Sequence, residues 1–480
     1  MRRFQRTNSF ARRYSGLYLL SPRGFTGLLT GPRADEAFCV LPTIDIASSG
    51  APQRSRYLSF LQIVGALGII AHHLRAPFSD SGWVLVELFF VIAGINMARG
   101  LDRDQSIYSY ALSRIRRLGP EIFVVWCVVV IFVASGDGTP GMLRFILMGP
   151  LFLQNLAVAF FDYGWTPRDF AYVPLWFVGG LLQLQLMLFA VRRVLLRVKP
   201  MVVAFVCVGI GTLFRLLVAT LAGQNPHGSL PSSEANLIYL LPLTHVEAIV
   251  LGVLIGRGAL VGIGRLAPFF CAMAIGLGSV SLALSPPGAM SISSLGFACP
   301  LSVNYAYVWG YLILALTAAS LCSRSGRLAA AVDGLRFPIW TDKMLIRLAS
   351  LTYGAYAFHA LIIATGTNAA SLLAKPHTPG SRLLLVAITA VESFLFAWGF
   401  ELIFRRHRTP ACAGSEPPVP AERNPSAAVL ASLGRRKLEP EALDQMPRAD
   451  SSPVLGTWLR PTSSAADENV PRRRANASRS

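Results

Sequence analysis

Residues 201–222 read MVVAFVCVGIGTLFRLLVATLA, an apolar stretch of 22 residues in which Arg215 is the one charged side chain. A helix needs about 20 apolar residues to cross the hydrocarbon core of a bilayer. Similar stretches recur through the chain, at about 57–74, 83–99, 121–135, 174–191, 201–222, 237–256, 267–285, 300–322, 345–365 and 382–404. We therefore predict an all-α fold, a polytopic integral membrane helical bundle of about ten transmembrane helices.

The composition supports this class. Hydrophobic residues make up 53% of the 480 residues and charged residues only 14%, whereas soluble proteins carry about 25% charged residues. Disorder, a coiled coil and a disulfide scaffold are thereby excluded for most of the chain, and a β-barrel would show short alternating segments instead. The seven cysteines are scattered and form no CxxC pair, so we predict neither a metal site nor a disulfide framework.

Three regions differ in composition. Residues 1–56 hold nine arginines against three acidic residues and are predicted to be a basic, poorly ordered N-terminal extension, too interrupted for a signal peptide. Residues 57–404 form the membrane domain. Residues 405–480 are rich in Pro, Ser, Ala and Arg, which predicts a disordered cytoplasmic tail. In so apolar a chain the net charge of +19 indicates cytoplasmic loops and a lipid bilayer as partner, not nucleic acid.

The loops set the expected orientation. If the N-terminus lies inside, the inner loops hold 16 Lys and Arg residues and the outer loops hold five. Cytoplasmic loops of membrane proteins are enriched in these residues, so we predict a multi-pass protein of the bacterial inner membrane with both termini in the cytoplasm. A further apolar stretch, 143–161, is interrupted by Gly149-Pro150. We interpret this stretch as interfacial or re-entrant, because a further span here would place the basic loops that follow it on the outer side of the membrane.

Ionisable side chains inside spans are costly and usually face a protein interior or a watery cavity. The candidates within the spans are His72, His73, Glu87, Arg215, His245, Glu247, His359 and Glu392. All except the central Glu392 fall in the predicted outer halves of their spans. A shared depth favours one functional site over scattered structural roles.

Helical spacing refines the list. His73 shares a face with Gln62 three turns earlier, whereas His72 lies about 100° away, so one histidine of the two is expected to face the interior. Tyr356 and His359 lie on one stripe with Thr352, and Trp176 shares a stripe with Gly180 and Gln183. His245 and Glu247 point to nearly opposite sides. We predict a structural ion pair between Arg215 and Glu392.

Six motifs then resemble one known family. They are YLSFLQIVGALGIIAHHL (57–74), VELFFVIAGINMARG (86–100), YALSRIRRLGPEIF (110–123), LFLQN (151–155), VPLWFVGGLLQLQL (173–186) and SLTYGAYAFHALII (350–363). In this order and at these spacings they resemble the membrane acyltransferase-3 family, which includes O-antigen, exopolysaccharide and nodulation-factor acetyltransferases. The resemblance covers about residues 57–404.

The resemblance implies an O-acyltransferase that moves an acyl group, expected to be acetyl, from cytoplasmic acyl-CoA to a hydroxyl of a cell-surface or exported glycan or of a lipid-linked sugar. Acyl-CoA is then a co-substrate, and no bound cofactor is expected. His73, His359 and Glu87 are the implied catalytic residues, His73 as the base and Glu87 as the carboxylate that orients a ring nitrogen. Arg114 and Arg117 are expected to bind the CoA phosphates.

Substrate-binding candidates come from three of the motifs: Asn155, Trp176, Gln183 and Tyr356. Two departures from the family pattern leave alternatives open, since Gln62 and Leu181 stand where the family has charged residues. One alternative is a catalytically impaired member that acts as a scaffold. A proton or solute transporter is the other, although the two halves of the membrane domain show no internal similarity, which disfavours it.

Overall fold

The computed structural model describes residues 55–137, 139–160, 171–223, 229–260, 262–286, 290–323, 325–335, 338–366 and 378–405. The N-terminal extension before residue 55 and the tail after residue 405 therefore lie outside the described residues. The described residues from 55 to 403 belong to one compact unit.

Fifteen α-helices and no β-strand occur in these described ranges. They are α1 (Arg56–His73), α2 (Leu85–Leu101), α3 (Ile107–Phe132), α4 (Pro140–Met148), α5 (Gln154–Phe160), α6 (Trp176–Ala190), α7 (Arg192–Arg197), α8 (Pro200–Ala222), α9 (Ser232–Leu240), α10 (Val246–Gly256), α11 (Ala267–Leu284), α12 (Ala306–Cys322), α13 (Arg327–Gly334), α14 (Ile339–Thr365) and α15 (Pro379–Arg405).

Within the described residues, eight helical segments are long and apolar enough to cross a membrane, and nine if a bent pair of helices counts as one span. Helix α1, which corresponds to the first predicted span, is 18 residues long and is not among them. It begins at Arg56 and ends in two histidines, which lower its hydropathy. The chain is thus an all-α polytopic bundle, close to the expected ten spans.

The predicted span 237–256 is wrong as a single straight helix. The chain breaks at Leu241, and the two flanking segments are bent by 64°. Pro242 explains the break, because proline lacks an amide hydrogen and disfavours a helical conformation in the residue before it. The break stands in an apolar environment, where every freed backbone group needs a partner.

Buried side chains supply these partners. Thr244 Oγ1 donates to the carbonyl of Ile238 at 2.6 Å, and His245 Nε2 donates to the carbonyl of Tyr239 at 2.8 Å. Arg215 of α8 donates to the carbonyl of Thr244 at 2.8 Å. Three buried polar side chains therefore stabilise the break between α9 and α10.

One further helix boundary differs from expectation, and one stretch agrees with it. Helix α3 begins at Ile107, so Arg114 and Arg117 lie on the helix rather than on a loop before it. The stretch 143–161 forms the short helices α4 and α5, separated by a turn at Gly149–Leu151. Neither is among the candidate spans, which agrees with an element that does not cross the membrane.

Helices α2 and α10 cross with their backbones in close approach. A Cβ on Gly94 would lie 2.1 Å from the carbonyl oxygen of Ile249, and a Cβ on Gly252 would lie 2.1 Å from that of Val91. Small residues at such a crossing let two backbones approach, which is the usual basis of helix packing in membranes. This contact fixes Glu87 on α2 beside the first turn of α10.

Candidate active site

A cavity of about 1020 Å³ opens where α1 and α6 meet the segment after α11. Its polar wall includes His72, His73, Arg75, Asp80, Asn236 and Ser291. Its aromatic wall consists of Trp83, Trp176, Tyr239 and Tyr356. We call it the large cavity. Mixed aromatic and polar walls of this size can hold a bulky hydroxylated ligand.

Two predicted histidines meet at this cavity from different helices. The rings of His73, at the end of α1, and His359, on α14, are stacked with centroids 5.2 Å apart. His359 is fully buried, and its Nδ1 lies 2.5 Å from the carbonyl oxygen of Tyr356. A carbonyl can only accept, so this nitrogen carries the proton and Nε2 is the acceptor nitrogen of the neutral ring.

His72 also lines the large cavity, so the expectation that one of the two adjacent histidines faces the interior is wrong. Helix α1 ends at His73, and the cavity opens around that end, so side chains 100° apart both reach it. His72 has a local role in addition, since its Nδ1 lies 3.1 Å from the carbonyl oxygen of Ser79. Only His73 stacks on His359.

Glu87 orients a different histidine from the one expected. Its Oε1 lies 2.5 Å from Nδ1 of His245, and both side chains are buried. Because Nε2 of His245 donates to a backbone carbonyl, one proton is shared between Nδ1 and the carboxylate. The pair lies behind Trp176, whose ring centroid is 5.5 Å from that of His245.

The predicted pair between Arg215 and Glu392 is wrong. Arg215 is fully buried, with Nη1 2.6 Å from Oε1 of Glu247. Gly211 leaves the room for this carboxylate, since a Cβ there would lie 2.1 Å from Oε2 of Glu247. The bend at Pro242 turns the start of α10 towards α8, an arrangement that straight-helix spacing does not reveal.

A second, smaller cavity of about 110 Å³ lies towards the N-terminal part of α3, and we call it the small cavity. Arg114, Arg117, Gln62 and Gln185 line it. Buried Nε of Arg114 and buried Oε1 of Gln185 make no hydrogen bond within the described part of the chain. A pair of cationic side chains with an unused donor and acceptor can bind a polar or anionic group.

Tyr356 lines both cavities. Its hydroxyl donates to the carbonyl oxygen of Pro174 at 2.5 Å, and its ring packs 5.5 Å from that of Phe177 and 6.3 Å from that of Phe89. Phe89 and Phe177 line the small cavity. These three rings therefore form the partition between the two cavities.

Two predicted substrate-binding residues lie elsewhere. Asn155 and Gln183 donate to each other's side-chain oxygens at 3.1 and 2.9 Å, and neither lines the large or the small cavity. Their amides join α5 to α6, and substrate binding by these two residues stays a prediction. Trp176 and Tyr356 do lie on a cavity wall.

Several wall residues were not found by sequence reasoning because they lie on loops. Asp80 accepts a hydrogen bond from Ser293, and Trp83 Nε1 donates to the carbonyl of Phe297 at 2.9 Å. These contacts bring the segment before α2 against the segment after α11 and build one side of the large cavity. No sequence periodicity marks such a pairing. In the described ranges no three His, Cys, Asp or Glu residues could hold a metal ion.

The fold is a polytopic helical bundle with a stacked histidine pair beside one cavity and an arginine pair at another, which defines a membrane protein with ionisable groups in its interior. The family model described as an acyltransferase domain matches residues 55–401. The chain therefore belongs to this acyltransferase family, and it is an acyltransferase of the kind that transfers groups other than amino-acyl groups. Neither the curated proteins nor the solved structures contain a match to it.

Proposed function

We propose that this membrane acyltransferase moves an acetyl group from cytoplasmic acetyl-CoA to a hydroxyl of an exported or cell-surface glycan or of a lipid-linked sugar. The observation that carries the proposal is the shared wall of the two cavities. Tyr356 separates a small cavity with two arginines from a large cavity lined by His73, whose ring stacks on that of His359. Donor and acceptor can therefore approach one partition from opposite sides.

The small cavity suits the donor. Guanidinium groups pair well with phosphates, and Arg114 and Arg117 lie at this cavity. Coenzyme A carries its phosphates at one end and its thioester at the other. With the phosphates at the arginines, the pantetheine arm extends towards the Tyr356 partition. The narrow volume of about 110 Å³ favours a short acyl group.

The large cavity suits the acceptor. Its aromatic wall provides faces for the apolar sides of a sugar ring, and its polar wall provides hydrogen-bond partners. A hydroxyl at His73 would lose its proton to the imidazole, because this group works as a base near neutral pH. The hydroxyl oxygen then bonds to the thioester carbonyl carbon, the carbon–sulfur bond breaks, and the sulfur leaves as coenzyme A thiol after taking up a proton.

His359 is proposed to position His73 and to stabilise the proton that His73 takes up. Its Nδ1–H is fixed by the carbonyl of Tyr356, so the ring presents a defined face to His73. Glu87 is proposed to act indirectly, since it holds His245 behind the aromatic wall.

Acyl transfer by the purified full-length protein in lipid nanodiscs tests the proposal. Release of free thiol from acetyl-CoA is measured with and without isolated cell-surface glycan, and the glycan mass is compared between a wild-type and a deletion strain. We expect glycan-dependent thiol release and a mass increment in the wild type that the deletion strain lacks. Glycans of equal mass and no thiol release would support the scaffold alternative and overturn the proposal.

A further inference from the structure

A third cavity, of about 750 Å³, lies where the end of α12 meets the starts of α11 and α13. Its wall includes Tyr57 at the first turn of α1 and Arg265 and Arg327 on the other side. Tyr57 and His73 stand near opposite ends of α1, about 24 Å apart at 1.5 Å per residue. The cavity is therefore remote from the histidine site, and the proposed reaction does not use it.

Both arginines of this cavity are available. Each is exposed, and neither makes an ion pair or a side-chain hydrogen bond with any residue that the structure describes. No Asp or Glu is among the described lining residues. The neighbouring carboxylate of Asp333 accepts a hydrogen bond from the amide of Tyr57 at 3.2 Å. Two unpaired guanidinium groups at one cavity favour an anionic ligand.

The start of α13 adds to this preference. Arg327 is its first residue, Gly326 is its N-cap, and no side chain caps its first turn. Free amides and the helix dipole favour an anion at a helix N-terminus. The start of α13 packs closely on the segment before α11, since a Cβ on Gly264 would lie 2.6 Å from the amide nitrogen of Gly326.

The surroundings are apolar on the side that faces away from the bundle. Leu266, Phe269 and Leu328 are exposed by 49%, 59% and 48%. Helix α11 is mostly unburied, with 17% of its apolar window inside the protein. A ligand with an anionic head and hydrocarbon chains matches this arrangement, since basic pockets at helix ends bind phospholipid head groups.

We propose that this cavity binds the phosphate head group of an anionic phospholipid, with the lipid chains lying along the exposed face of α11. Arg265 and Arg327 hold the phosphodiester together with the first-turn amides of α13. The lipid joins α11 to α13 and fixes the end of α12 between them. This site does not depend on the proposed acyl transfer.

The test uses the full-length protein in detergent and measures binding of phosphatidylglycerol by native mass spectrometry, with phosphatidylcholine as the zwitterionic comparison of zero net charge. We expect wild type to retain phosphatidylglycerol preferentially. The double variant Arg265→Gln/Arg327→Gln should bind it at least about tenfold more weakly, the factor that loss of one charged hydrogen bond produces. The matched control is Arg193→Gln/Arg197→Gln, which removes two exposed arginines from α7 and should leave binding unchanged.

Competition distinguishes the sources of phosphate. Inorganic phosphate and free coenzyme A, each added in excess, should not displace the lipid, and displacement by either would show a site for a soluble phosphate and overturn the proposal. Equal lipid retention by the double variant and wild type would also overturn it, as would equal loss in the α7 control. If the double variant does not fold, two further sets of variants test the proposal. The single variants Arg265→Gln and Arg327→Gln should each bind phosphatidylglycerol more weakly than wild type. The charge-retaining Arg265→Lys/Arg327→Lys should bind it almost as well as wild type, and any other result overturns the proposal.

Discussion

His73 and His359 come from helices far apart in the chain, and their stacked rings lie 5.2 Å apart beside the large cavity. We expect His73→Ala to lower kcat by about 10²–10⁴, the usual contribution of a positioned general base. The measurement is thiol release from acetyl-CoA at saturating acceptor. His359→Ala should be comparably damaging, with far less than additive effects in the double variant, if the two rings act as a unit.

His72→Ala is the matched control for the histidine prediction. His72 also lines the large cavity, but its ring is engaged with the carbonyl of Ser79 and does not stack on His359. Most activity should therefore remain. If His72→Ala is inactive and His73→Ala is active, His72 and not His73 is the base. Full activity in both variants would exclude imidazole chemistry at this end of α1.

Arg117 provides the second residue-level prediction. Arg117→Ala should raise the donor KM about ten- to a hundredfold with little change in kcat, because loss of a charged hydrogen bond costs roughly 1.5–3 kcal/mol. Steady-state kinetics over a range of acetyl-CoA concentrations measure this. Arg116→Ala removes a neighbouring charge that does not line the small cavity and should leave KM unchanged. A fall in kcat at constant donor KM in Arg117→Ala would contradict phosphate binding at this position.

The sequence identified residues of the candidate site, but it did not show which side chains from different helices contact each other. Helical spacing and motif order pointed to His73, His359, Arg114, Arg117 and Tyr356, all of which lie at the cavities or in contact with them. The partners of Glu87 and Arg215 depend on the 64° bend at Pro242, and helical spacing assumes a straight axis. Side-chain pairs across different helices are set by packing, which periodicity within one helix does not contain.

At the level of elements, the α2–α10 crossing is the contact most sensitive to side-chain size. We expect Gly94→Ala to destabilise the protein by about 1–3 kcal/mol, as overpacking of a tight interior usually does, since its Cβ would lie 2.1 Å from a backbone oxygen. The fraction of detergent-solubilised protein that remains monodisperse after heating measures the effect.

Gly100→Ala on the same helix is the control for this crossing. A Cβ at Gly100 meets nothing within 4 Å, and alanine is a better helix former than glycine by about 1 kcal/mol. The control should therefore be neutral or slightly more stable, so the two substitutions are expected to have opposite signs. Equal thermal behaviour of the two variants would show that the α2–α10 backbones are not in close contact.

Helix ends were the least predictable elements. The apolar core of α3 was visible in the sequence, but its start at Ile107 includes the basic cluster around Arg114. Arginine is a good helix former, so a helix extends through charged residues wherever its end leaves the apolar layer. Hydropathy marks the part of a helix inside the apolar layer and does not mark where the helix ends. For the same reason α14 begins at Ile339, before the apolar stretch that starts near residue 345.

At the level of the whole molecule, orientation in the membrane decides which cavity meets which substrate. The positive-inside bias predicts that the start of α3 lies in the cytoplasm and the segment after α11 outside. Asp104 and Ile292 are exposed residues at these two ends. Each is replaced by cysteine in a background in which all seven native cysteines are alanine. We expect Ile292→Cys to react with an impermeant maleimide added to intact cells. Asp104→Cys should react only after permeabilisation, and the cysteine-free parent is the blank. The reverse labelling pattern would mean that the large cavity opens to the cytoplasm. Acyl-CoA would then reach His73 directly, and the acceptor would have to be an intracellular molecule.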